Sequence, residues 1–383
     1  MTGYQVQRED DFDFLSAEYE ELCRRAAGTP FQAGTWLSTL YEVLAPRRRA
    51  QKLVITVRAR DGRLVLVLPL VRRRQGPLRL IEYADLGVND YAALVVDGDE
   101  LQALTSDVSV IRQIRAALGR FDLLRIERVP DRPELFLAVL VGSRARQHSY
   151  GAHLIELPGT VEDWHAGLDP QFTRHLERKR KRLRPKGSRR LRDVTDPLEI
   201  DAVMARLRRF RADRFASRRG VDLVQHPDYY AFYCAAAKAT TRSGAGRLVV
   251  LEVAEEVVAV SFDLTDSTSE LFLLVGYDVG RLRNYSLGLL IVDELVQGAI
   301  RRALGSFDLT VGDEPYKADF GAQPRPLFEI RLSRTPLGAA GVLGRDVYLR
   351  ARRTAKEVLM TWENHQRRRA VTEPARPSAS ADL

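Results

Sequence analysis

Cysteine and histidine are scarce in this chain of 383 residues, with two of the first and six of the second. Cys23 and Cys234 fall in separate predicted helices, without CxxC spacing or a nearby histidine cluster, which argues against a zinc site or a disulfide framework. No metal is expected. Long apolar runs are missing too: no stretch approaches the ~18 uninterrupted apolar residues of a membrane span. No N-terminal segment joins a basic region to an apolar core and a small-residue cleavage site, so a cytosolic location is expected. Acids are almost absent from one segment, Arg174 to Arg192 (RHLERKRKRLRPKGSRRLR), where eleven Lys/Arg face the single acid Glu177. The whole chain carries +9, so the remainder is about neutral and the basicity is local; DNA is not an expected partner.

The apolar content of 45% is enough for a sizeable core, and the length suggests two domains. An internal echo supports that division. Residues 117 to 123 read ALGRFDL and residues 303 to 309 read ALGSFDL, each where an amphipathic helix meets an apolar strand. Paired strands precede each copy: KLVITVR and RLVLVLPLV around Asp61-Gly62, then RLVVLEVA and VVAVSFDLT around Glu255-Glu256. The expected units are 1–150 and 151–335, followed by a basic C-terminal helix, 336–369, and a tail, 370–383, of disordered composition. In the second unit, apolar spacing predicts helices over 161–183, 197–216 and 228–241, and strands over 247–254, 257–265, 270–276, 306–311 and 327–332. The helix LGLLIVDELVQGAIRRALG is expected to end at Gly305 as its C-cap. The plan is α/β (α+β), a mixed sheet with helices on its faces.

Two segments carry chemistry. In GYDVGRLRNYSLG, Gly276 to Gly288, a strand delivers a basic loop onto a helix N-terminus, whose free N–H groups and dipole favour an anion such as phosphate. Arg281 and Arg283 would add charge-assisted bonds. The alternative is that Asn284 or Ser286 only caps the helix. In FDLTVGDEPYKADFGA, Phe307 to Ala322, a buried strand runs straight into Asp313, Glu314, Pro315, Tyr316 and Lys317. That pattern suits an acid–base edge, and it also suits a tight turn with a covering tyrosine.

Arg283-x-x-Ser286-x-Gly288 resembles the pyrophosphate loop of GNAT acyltransferases, with Ser286 where the pattern has its first glycine. YDVGRLRNYSLGLLIVDELVQGAI followed by FDLTVGDEPYKADFGA resembles the CelD-like branch, related to the FemABX peptidyltransferases, and the likeness continues through TPFQAGTWLSTL, LPLVRRR and DYAALVV. This resemblance implies tandem GNAT-like domains, each a mixed, mostly antiparallel sheet flanked by helices, with the first copy degenerate. It implies acetyl-CoA or another acyl-CoA as co-substrate, held by Arg281, Arg283, Asn284, Tyr285, Ser286, Leu287 and Gly288, with backbone N–H groups near Leu274 and Val275 at the thioester. Asp313 or Glu314 would accept the acceptor's proton, Tyr316 would donate one, and Lys317 would orient an anionic substrate or pair with Asp313 or Asp319. Asp85, Asn89, Asp90 and Tyr91 could reach an acceptor between the halves; a polar loop with an Asx-type turn is the plainer reading.

The expected function is acyl transfer from acyl-CoA to an amine or hydroxyl of a small-molecule, glycan or peptidoglycan-type acceptor. A tRNA-dependent aminoacyl transferase is the second reading, and a binding protein that kept the fold is the third. The basic segment would contact an anionic ligand, the inner face of a membrane, or tRNA. Aromatic residues that could stack on bases are nearly absent from it. The oligomeric state is left open.

Overall fold

The computed structural model describes residues 3–26, 28–216 and 221–351. Thirteen strands form one sheet: β1 (Tyr4–Arg8), β2 (Gln51–Ala59), β3 (Leu64–Gln75), β4 (Leu78–Tyr83), β5 (Val95–Val96), β6 (Leu123–Pro130), β7 (Arg144–Glu156), β8 (Arg189–Asp193), β9 (Gly246–Val253), β10 (Glu256–Thr265), β11 (Ser269–Tyr277), β12 (Ser306–Val311) and β13 (Gln323–Ser333). Their order is β1-β2-β3-β4-β6-β13-β7-β12-β11-β10-β9-β8, with β5 paired to β3.

The two ends of this sheet repeat one plan. Antiparallel pairs lead inward to a parallel pair, β4 with β6 in the first half and β11 with β12 in the second. The halves then exchange their last strands. β7 follows β6 in the chain but pairs with β12, while β13 follows β12 but pairs with β6. The boundary expected at residue 150 falls inside β7.

Alternation places one face of β2, β3 and β6 against the helices Val108–Ala117 and Pro133–Val139, and one face of β9 to β12 beneath the helix Leu287–Arg301. A third cluster joins both halves on the opposite side. There Trp36 packs edge-on against Phe232 with ring centroids 5.0 Å apart, and Phe31 does the same with Tyr91 at 5.9 Å.

Two expectations about elements change. The helix expected over 161–183 is two helices, Val161–Gly167 and Pro170–Leu183. Pro170 offers no N–H to continue the first, and Asp169 caps the second by accepting from Gln171 and Phe172 N–H at 2.8 and 3.0 Å. The long apolar helix stops at Arg301 rather than Gly305, because Ala303 turns to φ 56° and Leu304 N–H bonds back to the Ala299 carbonyl. The C-terminal helix is described over 336–351; the rest of its expected span and the tail lie outside the described residues. Among the described residues, no helix is long and apolar enough to cross a membrane.

Candidate active site

β11 and β12 pair at only three positions, Ser269 with Ser306, Glu270 with Phe307 and Leu271 with Asp308, and then diverge. Each side of the gap is held back. On β11, a Cβ on Gly276 would stand 2.8 Å from the Leu207 carbonyl oxygen, so only glycine lets the helix Pro197–Phe215 lie this close. From that helix Arg211, anchored to Asp222 at 2.8 Å, donates to the Val275 carbonyl at 3.1 Å. On the other side β12 is drawn to β7, where Val311 meets Ala152 across a bulge. Thr310 pays for that bulge with φ 58°, a left-handed conformation that a β-branched residue rarely adopts. Leu274 and Val275 lie on β11 beyond its last pairing with β12.

At the mouth, the helix Leu287–Arg301 presents its first turn, where the N–H groups of Leu287 and Gly288 have no partner within the helix. Ser286 takes φ 55° and ψ 44°, the conformation a glycine would supply, and makes no side-chain cap. Its carbonyl accepts from Leu289 and Leu290 N–H at 2.9 and 3.1 Å. Gly288 has a second reason to be glycine: a Cβ there would meet the Tyr277 ring at 2.7 Å. Arg281 turns away, pairing with Glu256 at 3.0 Å and Asp278 at 3.3 Å. Other cations take its place beside the helix start. Lys179 donates to the Asn284 carbonyl at 2.9 Å, and Arg182 lies 5.7 Å over the Tyr285 ring. Arg283 is exposed and has no ion-pair partner among the described residues. Free N–H groups, a left-handed turn and this cationic rim fit the pyrophosphate of a CoA thioester.

At the edge of the gap, Lys317 departs from its expected role. It is buried, donates to the Thr310 and Val311 carbonyls at 3.0 Å each, and pairs with Glu314 at 3.2 Å rather than with Asp313 or Asp319. Lys317 is thus a clamp on the end of β12. Asp313 is exposed, accepts from Gly151 N–H at 3.2 Å, and lines an open cleft of about 470 Å³ with Tyr150 and Arg325. Tyr316 opens the short helix Tyr316–Asp319. Burial pushes its hydroxyl up to about 12, Glu314 adds to the rise and Arg214 opposes it. Arg214 itself lies 5.1 Å over the Tyr277 ring, with its buried Nε unpartnered.

A GNAT acetyltransferase family model matches residues 170–318, which contain the gap, the loop and this edge. Over that segment the chain is similar to GNAT acetyltransferase domains. The whole chain resembles solved structures at low identity. FemX aligns at 10% identity with a TM-score of 0.61, covering 86% of this chain and 97% of that one. A conserved protein from Bacteroides thetaiotaomicron aligns at 10% and 0.56, covering 86% and 100%. A domain assigned to the C-terminal part of a lysylphosphatidylglycerol synthetase from Agrobacterium fabrum aligns at 14% and 0.54, covering 89% and 97%. These likenesses show the fold. Comparison with curated proteins gave no match.

The first half meets the GNAT domain through the loop that follows β4. Asp85 makes an Asx turn, accepting from Gly87 N–H at 2.8 Å, and also faces Arg128 at 3.5 Å; Asp90 faces the same guanidinium at 3.7 Å. Burial raises both carboxyls, and Arg128 opposes it. Asn89 turns into the core, where it accepts from Trp36 Nε1 at 2.8 Å, so it supports the loop instead of lining a site. Tyr91 crosses to the GNAT domain and donates to both oxygens of Asp308, at 2.8 and 2.9 Å. Asp308, Arg128, Arg214, Tyr277 and Lys179 were not singled out from sequence. Lys179 and Tyr277 lie in two segments marked from sequence, Arg174 to Arg192 and Gly276 to Gly288, and Asp308 had the signal of the repeated FDL.

Proposed function

We propose that the GNAT domain transfers an acyl group from acyl-CoA to an amine or hydroxyl acceptor, and that this acceptor belongs to envelope or polysaccharide metabolism, as the CelD-like resemblance suggests. The observation that carries the reading is the opening of β11 from β12 beyond Leu271 and Asp308, with a helix N-terminus at one end and Tyr316 at its edge. Of Leu274 and Val275, the one whose N–H points away from β10 would offer it to the thioester carbonyl. Tyr316 stays protonated at neutral pH and would protonate the leaving thiolate; Asp313 and Glu314 stand at the acceptor's entrance. Lys179, Arg182, Arg283 and the first turn after Ser286 would hold the pyrophosphate.

One observation favours aminoacyl-tRNA as an alternative donor. Arg174, Arg178, Lys181, Arg184, Lys186 and Arg190 lie on or just after the helix that flanks the same loop, without ion-pair partners among the described residues. Heat-induced unfolding with acetyl-CoA, longer acyl-CoAs and free CoA separates the two donors. A ligand at 100 times its Kd adds about 2.7 kcal/mol. A shift lost in Arg283→Glu supports the CoA reading; no shift with any thioester, together with salt-sensitive tRNA retention, would overturn it.

A further inference from the structure

Asp308 ends the paired part of β11 and β12, level with Leu271. Its neighbours Phe307 and Leu309 enter the core beneath the helix Leu287–Arg301, so Asp308 and Thr310 face the other side of the sheet, toward the first half. Among the described residues, most buried acids hold an arginine: Asp97 with Arg63, Asp122 with Arg79, Asp222 with Arg211, Glu270 with Arg247, Asp293 with Arg180 and Glu329 with Arg331. Asp308 holds none. Its partners are the Tyr91 hydroxyl and the Thr310 N–H, the latter at 2.6 Å. Asp263, the other buried acid without an arginine bond among the described residues, is bonded to Ser261 inside β10.

A buried carboxylate held by a phenol and an amide keeps affinity for a proton that an arginine would suppress. Burial raises the Asp308 carboxyl to about 6; Asp90 adds to the rise, while Tyr91, Thr310 N–H and Arg325 oppose it. Arg128, Lys317 and Glu314 act on Asp90 in turn, the first two lowering its carboxyl and Glu314 raising it. At the facing register positions β11 and β7 contribute only Leu271 and Leu154.

We propose that Asp308 is the proton acceptor for the attacking amine and that Tyr91, from the other half of the chain, fixes its orientation; this rests on the acyl-transfer reading above. Asp308 lies roughly 10 Å along the strand direction from Leu274, so the proton reaches it through water. The neutral nitrogen adds to the thioester carbonyl, the C–N bond forms and the C–S bond breaks. The N–H proton passes to Asp308, and the leaving thiolate takes the Tyr316 proton. Asp308 then returns its proton through solvent to the Tyr316 phenolate, so amine and thioester give amide and thiol.

Two measurements on the full chain test this. The first follows the Asp308 carboxyl by 13C NMR as pH changes, assigned with Asp308→Asn. A midpoint near 6 that moves up in Tyr91→Phe supports the proposal, and an ordinary carboxylate midpoint overturns it whatever the donor. The second follows thiol release from acetyl-CoA with a panel of primary amines. The expected result is a rise in kcat with an inflection near pH 6, a loss of 100-fold or more with no inflection in Asp308→Asn, and a retained inflection in Asp313→Asn. An inflection lost in Asp313→Asn but kept in Asp308→Asn overturns Asp308 and leaves acyl transfer standing. If no amine releases thiol, the CoA reading fails and the NMR midpoint alone decides for Asp308. Should Asp308→Asn not fold, Tyr91→Phe, which removes one hydroxyl, supplies the second reading by an upward shift of the inflection.

Discussion

The two copies of the FDL motif start alike and end differently. In the first, Asp122 accepts from Arg79 through its guanidinium and its backbone N–H, and from the Thr335 hydroxyl, and the Arg79 bonds hold its carboxyl far below the usual range. In the second, Asp308 faces a neutral phenol and is raised. The strands diverge in the same sense. Leu123, Leu124 and Arg125 pair with β4, whereas their counterparts Leu309, Thr310 and Val311 leave the backbone ladder with β11, to which Thr310 still donates through its hydroxyl, to the Phe272 carbonyl at 3.2 Å. One copy is zipped where the other is open. The same FDL therefore gives an aspartate with lowered proton affinity or one with raised proton affinity, depending on whether the tertiary contacts supply an arginine.

That contrast can be broken by experiment. The largest effect is expected for Tyr316→Phe, which should lower kcat by 100-fold or more with little change in KM, read by thiol release at saturating donor. Substitutions in the matching first-copy segment after β6 should leave turnover unchanged. Next comes pH. The Asp308 carboxyl is raised from 3.8 to about 6 by folding, so the folded state keeps a proton that the unfolded state releases, and stability falls as pH rises through that window. Asp308→Asn removes this fall, worth about 3 kcal/mol, when unfolding free energies of the two proteins are compared across the window. Asp122→Asn should behave oppositely. Its carboxyl is lowered on folding, so the stability it contributes is present at neutral pH and is lost in acid; the variant should melt earlier at pH 7 and differ least at low pH.

Smaller effects probe the donor loop. Gly288→Ala forces a methyl into the Tyr277 ring and should cost about 1–3 kcal/mol in thermal unfolding. Lys179→Ala, which leaves the Asn284 carbonyl without its ammonium partner, should weaken acyl-CoA binding by about tenfold in a titration. Ser286→Gly relieves a left-handed serine worth about 1–2 kcal/mol but adds chain entropy, so stability should rise by at most about 1 kcal/mol, with donor affinity retained.

The legible parts of the site were those encoded within short stretches. The loop from Gly276 to Gly288 was visible because a strand, a basic turn and a glycine-entered helix are contiguous, and the edge Asp313 to Lys317 because polar residues follow an apolar strand at once. Lys317 was misread for a physical reason: a lysine in a turn looks solvated until the carbonyls of Thr310 and Val311 are seen to surround it. Arg281 was misread similarly, since nothing nearby in the chain announces that Glu256 will stand opposite. The break at Asp169-Pro170, by contrast, was written in the sequence as a cap followed by proline.

Sequence by itself determined the period of each element, the duplicated plan and the local chemistry of two segments, because alternation, helical spacing and turn residues act over a few positions. Tertiary structure alone decided which aspartate is paired with an arginine and which has a raised affinity for a proton. Tyr91 and Asp308 are 217 residues apart, and only the exchange of β7 and β13 between the halves brings the first half's loop against the open end of β12. Burial and the identity of the facing group set a carboxyl's proton affinity, and neither is a property of neighbouring residues in the chain.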